Sequence, residues 1–366
     1  MKIARIFDRY VLKEFIRVMT SSVLGFTALF LVVDVFEKIS YFVDRKVPTS
    51  IMGLYYLYKI PWIVDHILPV ALLMTCLFTI GDMVKKNEVM IMQASGISIY
   101  RIFLPIFIFG FLMSVFSLGL GQSIVPASDR ARRDLDEYKI KKTNPINKMQ
   151  RHNVFYKGTK GRIYSIKFLD VQRKRLANIN IEEYDDKGHI LRRINADSMF
   201  WMEKYWKLTR VYIRYFKDDN VEKVEQKNEM ILDNLEETWE DFAREERDPD
   251  EMTYFELKDY IKRLKRGGEN ATRYIVDLYL KVTSPFANLI IVILGAPLAT
   301  LGGAKGNKAL SFGLGFIISF IYFLVNAAAQ VLGQNGNLPP VLAANTANGL
   351  FLIIGFIILF MARKMA

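Results

Sequence analysis

Six stretches of this chain are apolar over about 20 residues, the length at which a helix crosses the hydrocarbon of a bilayer. The first runs roughly from Val18 to Phe36 and the second from Ile60 to Gly81, with Asp65 and His66 near its start. The third, Ile102 to Val125, and the fourth, Val282 to Ala304, carry no charge, and from Ala309 to Ala362 there is again none. That last stretch is too long for one span, and GQNGNLPP (Gly333 to Pro340) breaks it with turn formers into a fifth and a sixth. A chain of this kind folds as a helical membrane protein of six spans, three on each side of a long polar insert.

The charges obey the same division. Between Val125 and Arg273 lie 32 of the 50 Lys and Arg and 29 of the 38 Asp and Glu, so the insert is nearly neutral. Most of the net charge of +12 therefore flanks the membrane, where basic residues set orientation, and nucleic acid is not its explanation. The basic N-terminal segment, Lys85 and Lys86 with Arg101, Lys305 with Lys308, and Arg363 with Lys364 fall on one side, which predicts that both termini are cytoplasmic. The insert then lies on the far side, the periplasm in a bacterium. Before the first span, Ile3, Ile6, Phe7, Tyr10, Val11 and Phe15 recur at helical spacing opposite Lys2, Arg5, Arg9 and Lys13, an amphipathic helix that we read as retained because no small-residue cleavage site follows.

Within the insert, segments such as RIYSIKFLD and KYWKLTRVYIRYF alternate β-branched or aromatic residues with charged ones. KGTKG and DDKGH supply hairpin turns, so an antiparallel sheet or sandwich with one apolar face is expected. Helical spacing returns from Met252 to Leu264, placing Phe255, Leu257, Tyr260, Ile261 and Leu264 on one side and stopping at Gly267 and Gly268. The resulting divisions are 1–125 for the first three spans, 126–272 for the insert with its connecting helix, and 273–366 for the last three.

Chemistry-bearing patterns are few. Gly302, Gly303 and Lys305 lack the spacing of a phosphate loop, and the three His residues form no ligand pattern, so neither a nucleotide engine nor a metal or other cofactor is expected. No catalytic residues and no enzyme activity of its own are expected. Ionisable residues sit near span ends: Asp34, Glu37 and Lys38; Asp65 and His66; and Arg273, Asp277 and Lys281, four apart on one helix face as an ion-pair ladder. Charges at the rim of an apolar interior suit a substrate with fatty chains and a charged head, and the lack of mid-membrane charge argues against an ion-coupled secondary transporter. Between spans two and three, helical spacing from Asp82 to Ser95 puts Val84, Val89, Ile91 and Met92 among Lys85, Lys86 and Glu88. Such a short helix suits either a docking element for a partner or an interfacial helix resting on lipid.

ARIFDRYVLKEFI at the N-terminus, KKNEVMIMQASGIS in that loop, the β-rich insert and SPFANLIIVILGAPLA (Ser284 to Ala299), taken in order, resemble the family of LptF and LptG permeases of the lipopolysaccharide exporter. The resemblance implies a 3+3 arrangement with a periplasmic β-jelly roll, and a heterodimer of two homologous permeases on a cytosolic ABC ATPase dimer. It further implies lipopolysaccharide as cargo, passed to a periplasmic jelly-roll bridge protein, in the inner membrane. By the same resemblance Glu88, with Lys85, Val89 and Met92, corresponds to the helix that docks into the ATPase. Lys38 is the nearest match to basic residues that meet lipid phosphates; Arg45 and Lys46, the next basic residues at the same outer rim, are further candidates on their position rather than on the resemblance. A membrane scaffold whose β domain binds periplasmic partners and a secondary transporter are the alternatives.

Overall fold

The computed structural model describes residues 2–142, 150–185, 188–217, 220–233, 235–243, 248–266, 269–300 and 308–364. The expected stop at Gly267 and Gly268, and the Gly302, Gly303 and Lys305 cluster, fall outside them. The helices are α1 (Lys2–Asp44), α2 (Thr49–Lys85), α3 (Glu88–Ala94), α4 (Ile99–Gln122), α5 (Ile124–Leu135), α6 (Trp239–Ala243), α7 (Tyr254–Arg266), α8 (Thr272–Thr283), α9 (Ala287–Thr300), α10 (Lys308–Gln334) and α11 (Pro340–Lys364). Six strands lie between α5 and α6: β1 (Gln150–Lys157), β2 (Arg162–Asp170), β3 (Arg175–Tyr184), β4 (Ile190–Trp201), β5 (Trp206–Lys217) and β6 (Asn220–Leu232). Six helical segments among the described residues are long and apolar enough to cross a membrane, as expected. Residues 1–136, 249–257 and 272–366 form one compact unit, and 137–248 with 258–271 another.

In the helical unit the first two spans extend well past their apolar runs. The stretch from Glu37 to Lys59, which lies between the first two apolar runs, is helix to Asp44 and again from Thr49, turning only at Lys46, whose φ is +49°, and Pro48. Asp34, Lys38, Tyr41 and Phe42, three or four apart, lie on one face of α1. Phe42 makes edge contacts with Tyr55 and Tyr56 of α2, so tertiary contact keeps the polar continuation of the helix wound. The fourth span is α8 and α9 joined by a tight turn at Ser284–Phe286. Leu72, Leu73, Cys76, Leu77 and Ile80 of α2 form the bundle core with Ile102, Phe103 and Ile106 of α4, Ile290, Ile291 and Leu294 of α9, and Val11 and Phe15 of α1. Gly295 lets α9 approach α2 closely, since a Cβ there would stand 2.7 Å from Leu73 Cδ1. By contrast α1 and α10 keep long apolar side chains outward, among them Leu29, Val32, Val33 and Phe36 on α1 and Phe316, Phe320 and Leu324 on α10.

The other unit holds a single antiparallel sheet in which each strand pairs with its neighbours in sequence, β1-β2-β3-β4-β5-β6. Its alternation changes phase along one row. The flanking pairs set Asn153, Lys167, Asn178, Asp197 and Arg210 opposite one another on successive strands. Asn153, Asn178 and Arg210 in that row have positive φ (54°, 48° and 50°), a left-handed conformation of the kind that re-aims a strand. The residues that join the apolar core are thus even-numbered before the row on β4 (Ile194, Ala196) and odd after it (Met199), while on β3 the order is Leu176, then Ile179 and Ile181. One apolar face survives across the bend, closed by Trp239 and Phe242 of α6. The buried Glu237 ties this cover to the sheet: its carboxylate accepts from Thr159 N and Oγ1 and from Tyr164 Oη, and its carbonyl from Trp206 Nε1. On α7, Leu257, Tyr260, Ile261 and Leu264 are buried as expected, but Phe255 is 75% exposed, because two residues before Leu257 it falls on the opposite face of the helix.

The same sheet holds an acid-sensitive cluster. Burial alone would push the Glu183 carboxyl up, but hydrogen bonds from Arg192 and Arg162 outweigh it and hold Glu183 below the usual carboxylate range. A carboxylate whose folded value lies below its unfolded one, about 4.3 for Glu, stabilises the fold above that pH and loses the contribution as pH falls through the folded value. Thermal melts followed by the β signal in circular dichroism are expected to show a midpoint that drops between pH 5 and pH 3, with a shallower drop in Glu183→Gln.

Candidate functional site

Where α1 leaves its apolar run, six polar side chains from three helices join into one network. Asp34 of α1 is 6% exposed and accepts from Lys59 Nζ of α2 at 2.6 Å, with Lys38 Nζ at 3.6 Å from the same oxygen. Lys38 donates onward to Tyr55 Oη at 3.1 Å, and Arg132 of α5 donates to that hydroxyl at 3.2 Å. Arg132 also pairs with Asp129, itself 2% exposed, at 2.9 Å. Three cations face two carboxylates, leaving one positive charge in excess.

Burial divides the cations by role. Lys59 is 8% exposed and lies close to Asp34, its compensation inside the bundle. The side chains of Lys38 and Arg132 remain 33% and 27% exposed and share Tyr55 as a hub, so each presents an outward part to an anion while its inner contacts to Asp34 or Asp129 stand. Arg45, about two turns beyond Lys38, lies over the Tyr41 ring at 4.0 Å, and the Tyr41 hydroxyl donates to Asp136 at 2.6 Å. Lys46 is exposed in the turn between α1 and α2. Below Lys38, the outward Val32, Val33 and Phe36 give α1 an apolar flank. A phosphate at Lys38 and Arg132 with hydrocarbon along α1 is the ligand geometry this end of the bundle accommodates.

Of the residues singled out from sequence, Lys38 is thus in the network, while Arg45 and Lys46 are not among its hydrogen-bond partners. Sequence reasoning missed Arg132, Tyr55 and Lys59. Lys59 carried a signal, a lone cation entering an apolar run opposite the acidic Asp34, whereas Arg132 lies in the charged segment after the third span and only folding brings it to Tyr55.

At the opposite end of the bundle, Asn87 (φ +57°) reverses the chain between α2 and α3. Val89 is buried and Met92 half-buried in the bundle core, and the apolar residues presented outward are Met90 and Ile91, 66% and 62% exposed. Helical spacing alone did not reveal which face the bundle takes. Glu88 accepts from Tyr10 Oη of α1, 3.2 and 3.3 Å from its two oxygens, Lys85 is exposed, and Asp8 pairs with Arg101 at 2.7 Å. At the centre of the Arg273, Asp277 and Lys281 row, Gln330 and Gln334 of α10 both donate to Asp277 Oδ1.

Comparison with known proteins agrees along nearly the whole chain. The family model described as lipopolysaccharide export system permease LptF/LptG matches residues 9–361. The lipopolysaccharide export system permease protein LptG of Escherichia coli (strain K12) is 21% identical over 320 residues, covering 82% of this chain and 83% of its own. The protein of the same name from Haemophilus influenzae (strain ATCC 51907 / DSM 11121 / KW20 / Rd) is 20% identical over 305 residues, 81% of each.

Removing one partner of a buried ion pair leaves an uncompensated charge and typically costs about 3–5 kcal/mol, whereas removing both costs far less. Lys59→Met is expected to destabilise the helical bundle by about that amount, and Asp34→Asn combined with Lys59→Met to recover most of it. Chemical unfolding of the purified protein in detergent, followed by tryptophan fluorescence, measures both.

Proposed function

The chain belongs to the lipopolysaccharide export system permease family LptF/LptG, and from that premise we propose that it is one permease half of an ATP-driven machine that lifts lipopolysaccharide out of the inner membrane. The observation that carries this reading is the Lys38, Tyr55 and Arg132 network above an outward apolar face of α1. A lipid with phosphates on its head group and several acyl chains meets cations at the rim and hydrocarbon below it. Moving a chain between two apolar surroundings costs little, while exposing it to water costs about 0.8 kcal/mol per CH2. A path that keeps the tails covered is therefore what such a transporter has to supply, and in this reading the β domain is the next station before hand-off to a periplasmic bridge protein. In this reading both termini and α3 are cytoplasmic, segment 126–272 is periplasmic, and a second homologous permease completes the cavity.

Energy enters through α3. Glu88, with Met90 and Ile91 outward beside it, forms the surface that a cytosolic ABC ATPase dimer would grip, and Val89 and Met92 anchor the helix to the bundle so that a push on it is felt by α1, α2 and α4. Truncating one partner of a desolvated charge pair at an interface costs about 2–5 kcal/mol. Glu88→Ala is expected to weaken ATPase capture and lipid-stimulated hydrolysis in proteoliposomes, and Glu88→Lys to weaken both further by adding repulsion. Retention of ATPase binding and transport by Glu88→Lys, with the permease still folded, would reduce α3 to a connector resting on lipid.

A further inference from the structure

At the end of the bundle away from the cationic network, α3 is a block of seven residues set between two turns. Asn87 before it and Gly96 after it both have positive φ, +57° and +83°, so α3 is joined to α2 and α4 through chain reversals rather than through continuous helix. Side chains of α1 reach to both sides of this block. The Tyr10 hydroxyl donates to Glu88, the first residue of α3, and Arg101, in the first turn of α4, donates to Asp8 at 2.7 Å. Two residues apart, Asp8 and Tyr10 stand about 200° apart around the helix axis, so the two contacts fix the rotation of α1 as well as its position. Val11 and Phe15, both fully buried, pack in the same core as Val89 of α3.

The three helices that meet α3 differ in stiffness. Between Lys59, which reaches Asp34, and its junction with α3, α2 contains Pro61 and Pro69, and α4 contains Pro105. A proline inside a helix removes a backbone hydrogen bond and kinks the helix there, so a displacement at one end can be taken up at the kink. By contrast α1 has no proline between Lys2 and Asp44 and runs unbroken past Tyr10 to Asp34 and Lys38. The bonds at Tyr10 and Asp8 are exposed or half-buried, and pairs of that kind add little to stability. What they supply is a fixed attachment of the one unbroken helix to the α3 block.

We propose that α1 is the element that delivers a displacement of α3 to the cationic network, with Tyr10 and Asp8 as the positioning residues that attach it. The proposal rests on the reading that an ATPase grips α3, and it names the route by which that grip reaches the lipid site. By linkage the route works in both directions: a lipid phosphate that draws Lys38 outward shifts α1, and α3 shifts with it. Tyr10 and Asp8 act through Glu88 and Arg101 and lie at the opposite end of α1 from the lipid site. Their loss therefore uncouples the two sites and leaves each one intact.

The test uses the full-length permease in proteoliposomes, alone and co-purified with a cytosolic ABC ATPase of its own organism. Tyr10→Phe combined with Asp8→Asn keeps the ring and the size of both side chains while removing the hydroxyl and the charge. With the ATPase, this variant is expected to retain capture and the basal hydrolysis rate, while stimulation by lipopolysaccharide falls about fivefold or more, the lower end of coupling between two sites. Exchanging the ion pair, Asp8→Arg with Arg101→Asp, is expected to recover stimulation lost in Asp8→Asn. In the permease alone, a bimane on Met90→Cys reads α3, the single native cysteine, Cys76, being buried. Lipopolysaccharide is expected to shift its fluorescence in the parent and not in the variant. Should the double variant fail to fold, Tyr10→Phe by itself is expected to blunt the same bimane response. A parent that captures no ATPase but shows the stated bimane difference would remove the docking role of α3 and leave the α1 link standing. Equal stimulation and bimane response in the parent and a folded variant, loss of ATPase capture in that variant, or a silent bimane in both would overturn the link.

Discussion

A carboxylate between two membrane-crossing helices has to be neutralised where it stands, and Asp34 sets the arrangement of everything around it. Its partner Lys59 comes from the next helix at 2.6 Å, so α1 and α2 are held together where their apolar segments end. Beyond that pair Phe42 packs on Tyr55 and Tyr56, both helices continue past the residues that hydropathy assigns to them, and the turn between them is confined to a few positions around Lys46 and Pro48. With Asp34 satisfied from one side, Lys38 is released to share Tyr55 with Arg132. The charge left over at the rim follows from this unequal pairing rather than from any single residue.

The two ends of α1 carry different kinds of contact, and the helix is continuous between them. Near one end Val11 and Phe15 are fully buried in the core that also holds Val89 of α3, and Tyr10 donates to Glu88. About 24 residues later, some 36 Å at 1.5 Å per residue, lies Asp34. Between them the outward face is Leu24, Leu29, Val32 and Val33, apolar and exposed. A rigid helix fixed at its ends and free along its middle can relay a displacement at α3 to the rim while its flank faces lipid or a second permease.

Much of this architecture was legible in the sequence because membrane crossing imposes so narrow a pattern. Runs of twenty apolar residues, the GQNGNLPP break and the alternation in the insert located six spans and a β domain. Two physical effects escaped that reading. Where polar helix is stabilised by tertiary pairing, as from Glu37 to Asp44, hydropathy ends the element too early. Where positive φ at Asn153, Asn178 and Arg210 shifts the pleat, strict alternation fails halfway along each strand. The site was legible only in part for the same reason: Lys38 stands out beside Asp34, but Arg132 is one arginine among several until α5 packs beside Tyr55. On α3, a seven-residue helix shows too few turns for periodicity to tell its inner face, Val89 and Met92, from its outer one, Met90 and Ile91.

The central claim is that cargo enters at the rim network and not on the exposed strands, where water and salt screen charge more strongly. Photocrosslinking residues placed at Lys38 and at Lys174, an exposed turn position between β2 and β3, test it directly in cells making lipopolysaccharide. The account predicts abundant lipid adducts at position 38 and few at position 174. Strong adducts at 174 with none at 38 would contradict it.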